Sequence, residues 1–192
     1  MLAKDPDDLE IVSLIDACVE HIRAAVALIH EGHPETSIVL VGILNNSDWP
    51  PYFKRWQSAE AQRNINRGLE HFDDALRALA LGDQRLAFFD DRAWFARIWG
   101  QRNLKTGMPS YQSVKISESL SVSNSSGDSP DHAVLANLHA GLVWNTLWTQ
   151  ALGELVWTQF GLPIDPVTDA EVRDFVQAQI NAYSSIQQPI GG

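Results

Sequence analysis

Thr36-Ser37-Ile38-Val39-Leu40-Val41-Gly42-Ile43 is an unbroken, β-branched apolar run. No polar residue alternates with its apolar ones, so it fits a strand covered on both faces, as in a parallel sheet. Arg85-Leu86-Ala87-Phe88-Phe89-Asp90 reads as a second buried strand of the same kind. Helical patterns stand before, between and after the two. The order helix, strand, helix, strand, helix predicts an α/β fold with parallel strands joined by right-handed crossovers.

The flanking helices carry their own start and stop signals. Asp5-Pro6-Asp7-Asp8 opens the first, with Asp5 as cap, Pro6 at the first helical position and the aspartates at the positive dipole end. Ile11, Ile15 beside Leu14, Cys18, Ile22, Val26 beside Ala25, and Ile29 then recur at helical spacing up to Gly32-His33-Pro34. On this pattern Cys18 is a small buried hydrophobe. Ser58 opens a second helix, with Ile65, Leu69, Phe72, Leu76 and Leu79 on one face and Gly82 at its end. A short aromatic helix surrounds Trp94, Phe95 and Trp99.

Beyond it, residues 105–131 are rich in Ser and Gly, and Val114, Ile116, Leu120 and Val122 alternate with polar residues. A small β-hairpin inside a long loop is expected there. A long helix is predicted from His139 to Phe160, ending at Gly161-Leu162-Pro163. Thr168-x-x-Glu171 is a capping box for a last helix to about Tyr183, with a flexible tail over 184–192. The chain reads as a single domain over 1–192. Two interior-type strands do not make a sheet, because each needs a neighbour on both sides. Either another chain completes the sheet or further strands lie upstream of Met1.

The 192 residues are 45% apolar, with seven Trp and seven Phe, which suits one packed core. A net charge of −10 argues against nucleic acid or an anionic membrane as partner. No apolar run approaches the roughly 20 residues of a membrane span, and the N-terminus lacks the apolar core of a signal peptide. A cytoplasmic location is the default expectation. One cysteine rules out an internal disulfide framework. No metal or other cofactor is expected, since His30 and His33 straddle a helix end without an acid or thiol to complete a ligand set.

In open α/β sheets, ligands bind beyond the carboxyl ends of the strands. That places Asn45, Asn46 and Trp49 of the first loop at the expected substrate cleft, with turn chemistry as the competing account of the asparagines. Asp90 and Asp91 follow the second strand and also suit helix capping. His139 precedes Ala140-Gly141, where a ligand can approach closely, and a histidine at a loop-to-helix junction suits a general base. His132 is a second candidate. Gly127-Asp128-Ser129 follows Ser123-Asn124-Ser125-Ser126, read as a flexible run rather than a buried strand, and is set aside as a nucleophile motif.

The segment from Asp131 to Asn145, with His139-Ala140-Gly141 at its centre, resembles the final block of SGNH (GDSL-type) hydrolases. The upstream order of capped helix, buried strand with a Pro-bearing loop, helix and strand is similar to that family's second half. The resemblance covers about residues 5–177. It implies a flavodoxin-like parallel sheet and hydrolysis of small-molecule esters without a cofactor. In the family a serine from a Gly-Asp-Ser block attacks, an Asp-x-x-His pair supplies base and orienting acid, and a Gly and an Asn help bind the oxyanion. Only His139 carries over. Ala136 stands where the orienting Asp belongs, and the Gly-Asp-Ser and Gly-x-Asn-Asp blocks would fall before Met1. The implied protein is therefore an esterase-like C-terminal half, incomplete or inactive alone. Two other readings remain open. One is a non-catalytic module binding a partner protein or carbohydrate through Trp49, Tyr52, Phe53 and Trp56. The other is a rebuilt site in which His139 or His132 works with Ser129 and Asp128.

Overall fold

Strand β1 (Ile38–Val41) lies parallel to β2 (Leu86–Phe89), in register from Ile38 opposite Leu86 to Val41 opposite Phe89. The structure, a computed structural model, describes residues 2–186, and of 184–186 the backbone only. The two buried runs are thus parallel neighbours, joined through helix α2 (Ala59–Leu81). Helices cover both faces. On one, α1 (Leu9–Gly32) and α2 bury Val19, Val26, Phe72 and Leu76 against Leu40 and Leu86. On the other, Val39 and Phe89 meet α3 (Asp91–Trp99), α4 (Leu142–Phe160) and α5 (Asp169–Ile186). Alternation along each strand divides the core into two layers, which is why neither run has a polar face.

The caps follow the side chains available. Ser58 Oγ accepts from the Ala61 amide, Asp90 Oδ1 from Ala93, and Thr168 with Glu171 closes the reciprocal capping box. Gly161 ends α4 in the left-handed conformation, φ 61°. Four expectations are corrected. The first helix is capped by Asp8, not Asp5, whose carboxylate holds a separate turn through the Asp7 amide. Cys18 is exposed, because Val19 rather than Cys18 faces the core in the 11-15-19-22-26 stripe. The helix expected from His139 begins at Leu142, since Ala140 still pairs with Val134 across a β-bridge. The last helix runs on to Ile186, so only residues 187–192 of the expected tail lie outside the described residues.

The Ser- and Gly-rich middle forms more structure than one hairpin. β3 (Gly100–Arg102) pairs antiparallel with β4 (Pro109–Tyr111), and β5 (Ser113–Lys115) with β6 (Ser121–Ser126). The second pair is the expected hairpin, with Val114 opposite Val122. β7 (His132–Val134) then adds parallel to β6, with a register shift between Ser123 and Ser126. Ser123 to Ser126, expected to be flexible, is therefore strand. Val122, Ala133 and Val134 are fully buried under α4 and α5.

Trp144 is the centre of the larger core layer. Its ring lies 4.8 Å from Trp49, 5.0 Å from Phe95, 5.7 Å from Trp99 and 5.8 Å from Trp94. Trp148, one turn later, donates its indole N–H to Asp91 Oδ1 at 2.9 Å. Burial pushes the Asp91 carboxyl above its ordinary 3.8, the Trp148 bond opposes this, and the nearby Asp90 charge adds to it. The folded state therefore holds this proton more tightly than the unfolded chain does. Stability from that proton is lost as pH rises from 3.8 through the folded value. Asp91→Asn keeps the acceptor for Trp148 and removes the charge. Thermal melts should show the variant above wild type near neutral pH, with the gap closing below pH 3.8.

Candidate functional site

At the carboxyl end of β1 the chain turns sharply into the core. A Cβ on Gly42 would sit 2.8 Å from Asp73 Oδ1 and 3.2 Å from the Phe88 ring, so only glycine fits there. The next amide, Ile43 N–H, donates to the same Asp73 oxygen at 3.2 Å. Asp73 is fully buried, and its other oxygen meets the Arg92 guanidinium at 2.6 Å. Glu70 also pairs with Arg92, and Asn66 O accepts from it at 2.9 Å. Desolvation raises the Asp73 carboxyl above its usual range and Arg92 opposes that rise. The pair ties α2 and α3 to the end of β1.

Two short 3-10 turns follow, Asn46–Asp48 and Pro50–Tyr52. Asn45 is 2% exposed, and its Oδ1 accepts from the Ser47 amide, the turn role that its residue type suggests. Its Nδ2 has no partner among the described residues. Asn46 is exposed. Asp48 is buried and accepts from the Arg102 amide and the Tyr111 hydroxyl, both at 3.0 Å, while its backbone carbonyl accepts from Asn124 Nδ2 at 2.9 Å. Burial lifts the Asp48 carboxyl, and these donors pull it back. Burial, then the Asp48 charge, pushes Tyr111 upward as well. Arg102 donates to the carbonyls of Gly107 and Phe53, which knots the first loop to the β3–β4 ribbon.

The aromatic loop largely packs inward. Trp49 meets Trp144 edge-on, and Phe53 stacks on Tyr111 at 4.7 Å. Trp56 is exposed, with Arg55 lying over both it and Tyr52. Trp49 thus positions the loop against α4, and α4's N-terminus sits at the same end of the β1–β2 pair as Asn45 and Asn46.

His139 lies in the turn that enters α4. The turn is tightly specified: Leu135 N–H donates to His139 O at 2.8 Å, Leu138 N–H to Leu135 O at 2.9 Å, and Gly141 N–H to Ala133 O at 2.8 Å. A Cβ on Gly141 would stand 2.9 Å from Ala133 O, so glycine allows β7 and α4 to meet. Leu138 is held at φ 73°, a left-handed conformation that costs a branched residue roughly 1–2 kcal/mol. His139 itself is exposed, and its backbone amide donates to Asn137 Oδ1 at 3.3 Å. Backbone bonds and the Asn137 carboxamide hold the main chain of this turn, and the imidazole itself stands exposed.

Ser129 and Asp128, the alternative partners for a histidine, are engaged elsewhere. Ser129 bonds the Asp131 carboxylate, and Asp128 Oδ1 accepts from the Ala136 amide at 3.3 Å. The serine that does meet a histidine is Ser125, whose Oγ lies 2.7 Å from His132 Nδ1. Ser123–Ser126 has the composition of a flexible run, which does not single Ser125 out. The seven-residue spacing of Ser125 and His132 was visible, but the strand pairing that joins them was not. Two of the other histidines have local partners: His30 contacts the Thr36 carbonyl and His71 the Asp16 carboxylate. Among the described residues no group of three or more His, Cys, Asp and Glu could hold a metal ion, and no helix is long and apolar enough to cross a membrane. The chain matches no family model, no curated protein and no solved structure.

Proposed function

We propose that this chain supplies the histidine-bearing half of an SGNH-type ester hydrolase site on a flavodoxin-like sheet. What supports the reading is the exposed His139 in the turn that leads into α4, whose first turn packs on the loop after β1 through Trp144 and Trp49, together with a parallel β1–β2 pair whose β1 edge is open. Among the described residues β1 pairs with β2 alone, and Val41 and Ile43 at its end are 39% and 41% exposed. A strand composed for an interior position has its outer row of amides and carbonyls unpaired. A further parallel strand on that edge would end beside the first loop, where ligands bind in open α/β sheets.

In this reading a serine carried on the added strands attacks the ester carbonyl, and the His139 imidazole takes its proton and returns it to the leaving alkoxide. Ala136 cannot orient the imidazole as a carboxylate would, and the turn's hydrogen bonds fix only the backbone that carries it. Asn45 and Asn46 lie along the same edge as candidate oxyanion or substrate contacts.

The coding sequence upstream of Met1 tests this. An in-frame segment encoding a strand followed by Gly-Asp-Ser, and a second strand followed by Gly-x-Asn-Asp, is expected. An upstream frame of unrelated sequence would overturn the reading.

A further inference from the structure

We infer that Ser125 and His132 form a nucleophile–base pair that accepts acyl groups from small esters, separate from the turn bearing His139. Four observations converge on it. The Ser125 Oγ to His132 Nδ1 distance of 2.7 Å is that of a well-made hydrogen bond. Ser123 Oγ lies 2.8 Å from Ser125 Oγ, so a second hydroxyl can donate to the first and leave the Ser125 proton aimed at the imidazole. The register shift between Ser123 and Ser126 marks a bulge in β6. Bulges re-aim side chains, and this one puts Ser125 beside a histidine carried on β7. Finally, His132 packs on Gly127 so closely that a Cβ there would overlap the ring, which fixes the plane of the imidazole.

The histidine also lines a cavity of about 460 Å³, with Asp128, Ser129 and Gln179 among its polar groups and Leu135, Leu142 and Val143 among its apolar ones, and Ser125 adjoins it through its bond to His132. Polar groups beside an apolar wall suit an ester of modest size, with its hydrocarbon part on the leucines and its carbonyl toward the pair. With the ring proton on Nε2, Nδ1 is the accepting nitrogen. Ser125 Oγ adds to the carbonyl carbon as its proton moves to Nδ1. The bond from that carbon to the alcohol oxygen then breaks, and the leaving alkoxide takes the proton from Nδ1. Water reverses the sequence, giving its proton to Nδ1 and releasing the acid as Ser125 recovers its own. No carboxylate contacts the imidazole among the described side chains, so acylation precedes a slow release.

p-Nitrophenyl acetate, with peptide mapping by mass spectrometry, tests the pair in the intact chain. One acetyl group should map to Ser125 in wild type and in His139→Ala. Ser125→Ala should abolish that adduct, and His132→Gln should slow its formation roughly 100-fold, the scale of a general-base contribution. Gly127→Ala keeps both reacting groups but displaces the ring, and should slow acetylation comparably while circular dichroism stays unchanged. The inference is overturned if the acetyl group maps elsewhere, or if its rate is the same in Ser125→Ala or His132→Gln. Loss of the Ser125 adduct in His139→Ala would also overturn it, because the two sites would then be one. The upstream coding sequence bears on the His139 reading alone.

Discussion

Trp144→Ala is expected to lower the melting temperature by roughly 10 °C. Trp144 is 5% exposed and touches four other aromatic rings drawn from the first loop and from α3. Truncation removes its transfer energy and leaves a cavity between rigid rings that cannot close, a cost of about 3–5 kcal/mol. The damage also has a direction. Trp49 loses its edge contact, so the loop bearing Asn45 and Asn46 loosens with the core. Near-ultraviolet dichroism should fall alongside the melting temperature. A variant that melts within a few degrees of wild type would show that the two sides of the core hold together without it.

Arg92→Met is the second large effect, and it acts through charge. The guanidinium is the cation facing buried Asp73, whose remaining partner is the Ile43 amide. Deleting one member of a buried pair strands the other, typically at about 3–5 kcal/mol. Burial already raises the Asp73 carboxyl, and losing the Arg92 charge raises it further. With the folded value above the unfolded one, protonation relieves the stranded charge. The stability deficit of Arg92→Met should therefore shrink as pH falls toward and below the folded value and grow toward neutrality. Urea melts across that range check the sign. The double variant Asp73→Asn/Arg92→Met should be more stable than Arg92→Met near neutral pH, because the stranded charge is gone. A double variant as unstable as the single one would assign the loss to packing instead.

The elements that read well from sequence were those whose local chemistry is self-sufficient. Ile38–Val41 and Leu86–Phe89 are apolar in every residue, and they are the parallel pair. Ser58 and the Thr168–Glu171 box announce their helices through side chains that bond the adjacent backbone. Legibility ended where long-range contacts decide. Cys18 and Val19, three and four residues after Ile15, both extend the apolar stripe at helical spacing, and packing against α2 selects Val19. Ser123–Ser126 has the composition of a loop, and becomes strand because β5 and β7 pair with it on either side. The same holds at the candidate sites. His139 could be found from its own neighbours in sequence, whereas the Ser125–His132 contact depends on a bulge that composition does not reveal. Trp49 looked like a ligand-facing aromatic, and its place against Trp144 is set by a helix almost a hundred residues away.

We propose that His139 is the base of an ester-hydrolysing site completed on the β1 edge. The measurement that tests this most directly is the kcat/KM for p-nitrophenyl butyrate of the chain expressed with its upstream coding segment, compared between wild type and His139→Ala. The expected result is a loss of roughly 100-fold or more in His139→Ala with the fold intact by circular dichroism. Equal rates in the two proteins would contradict the claim.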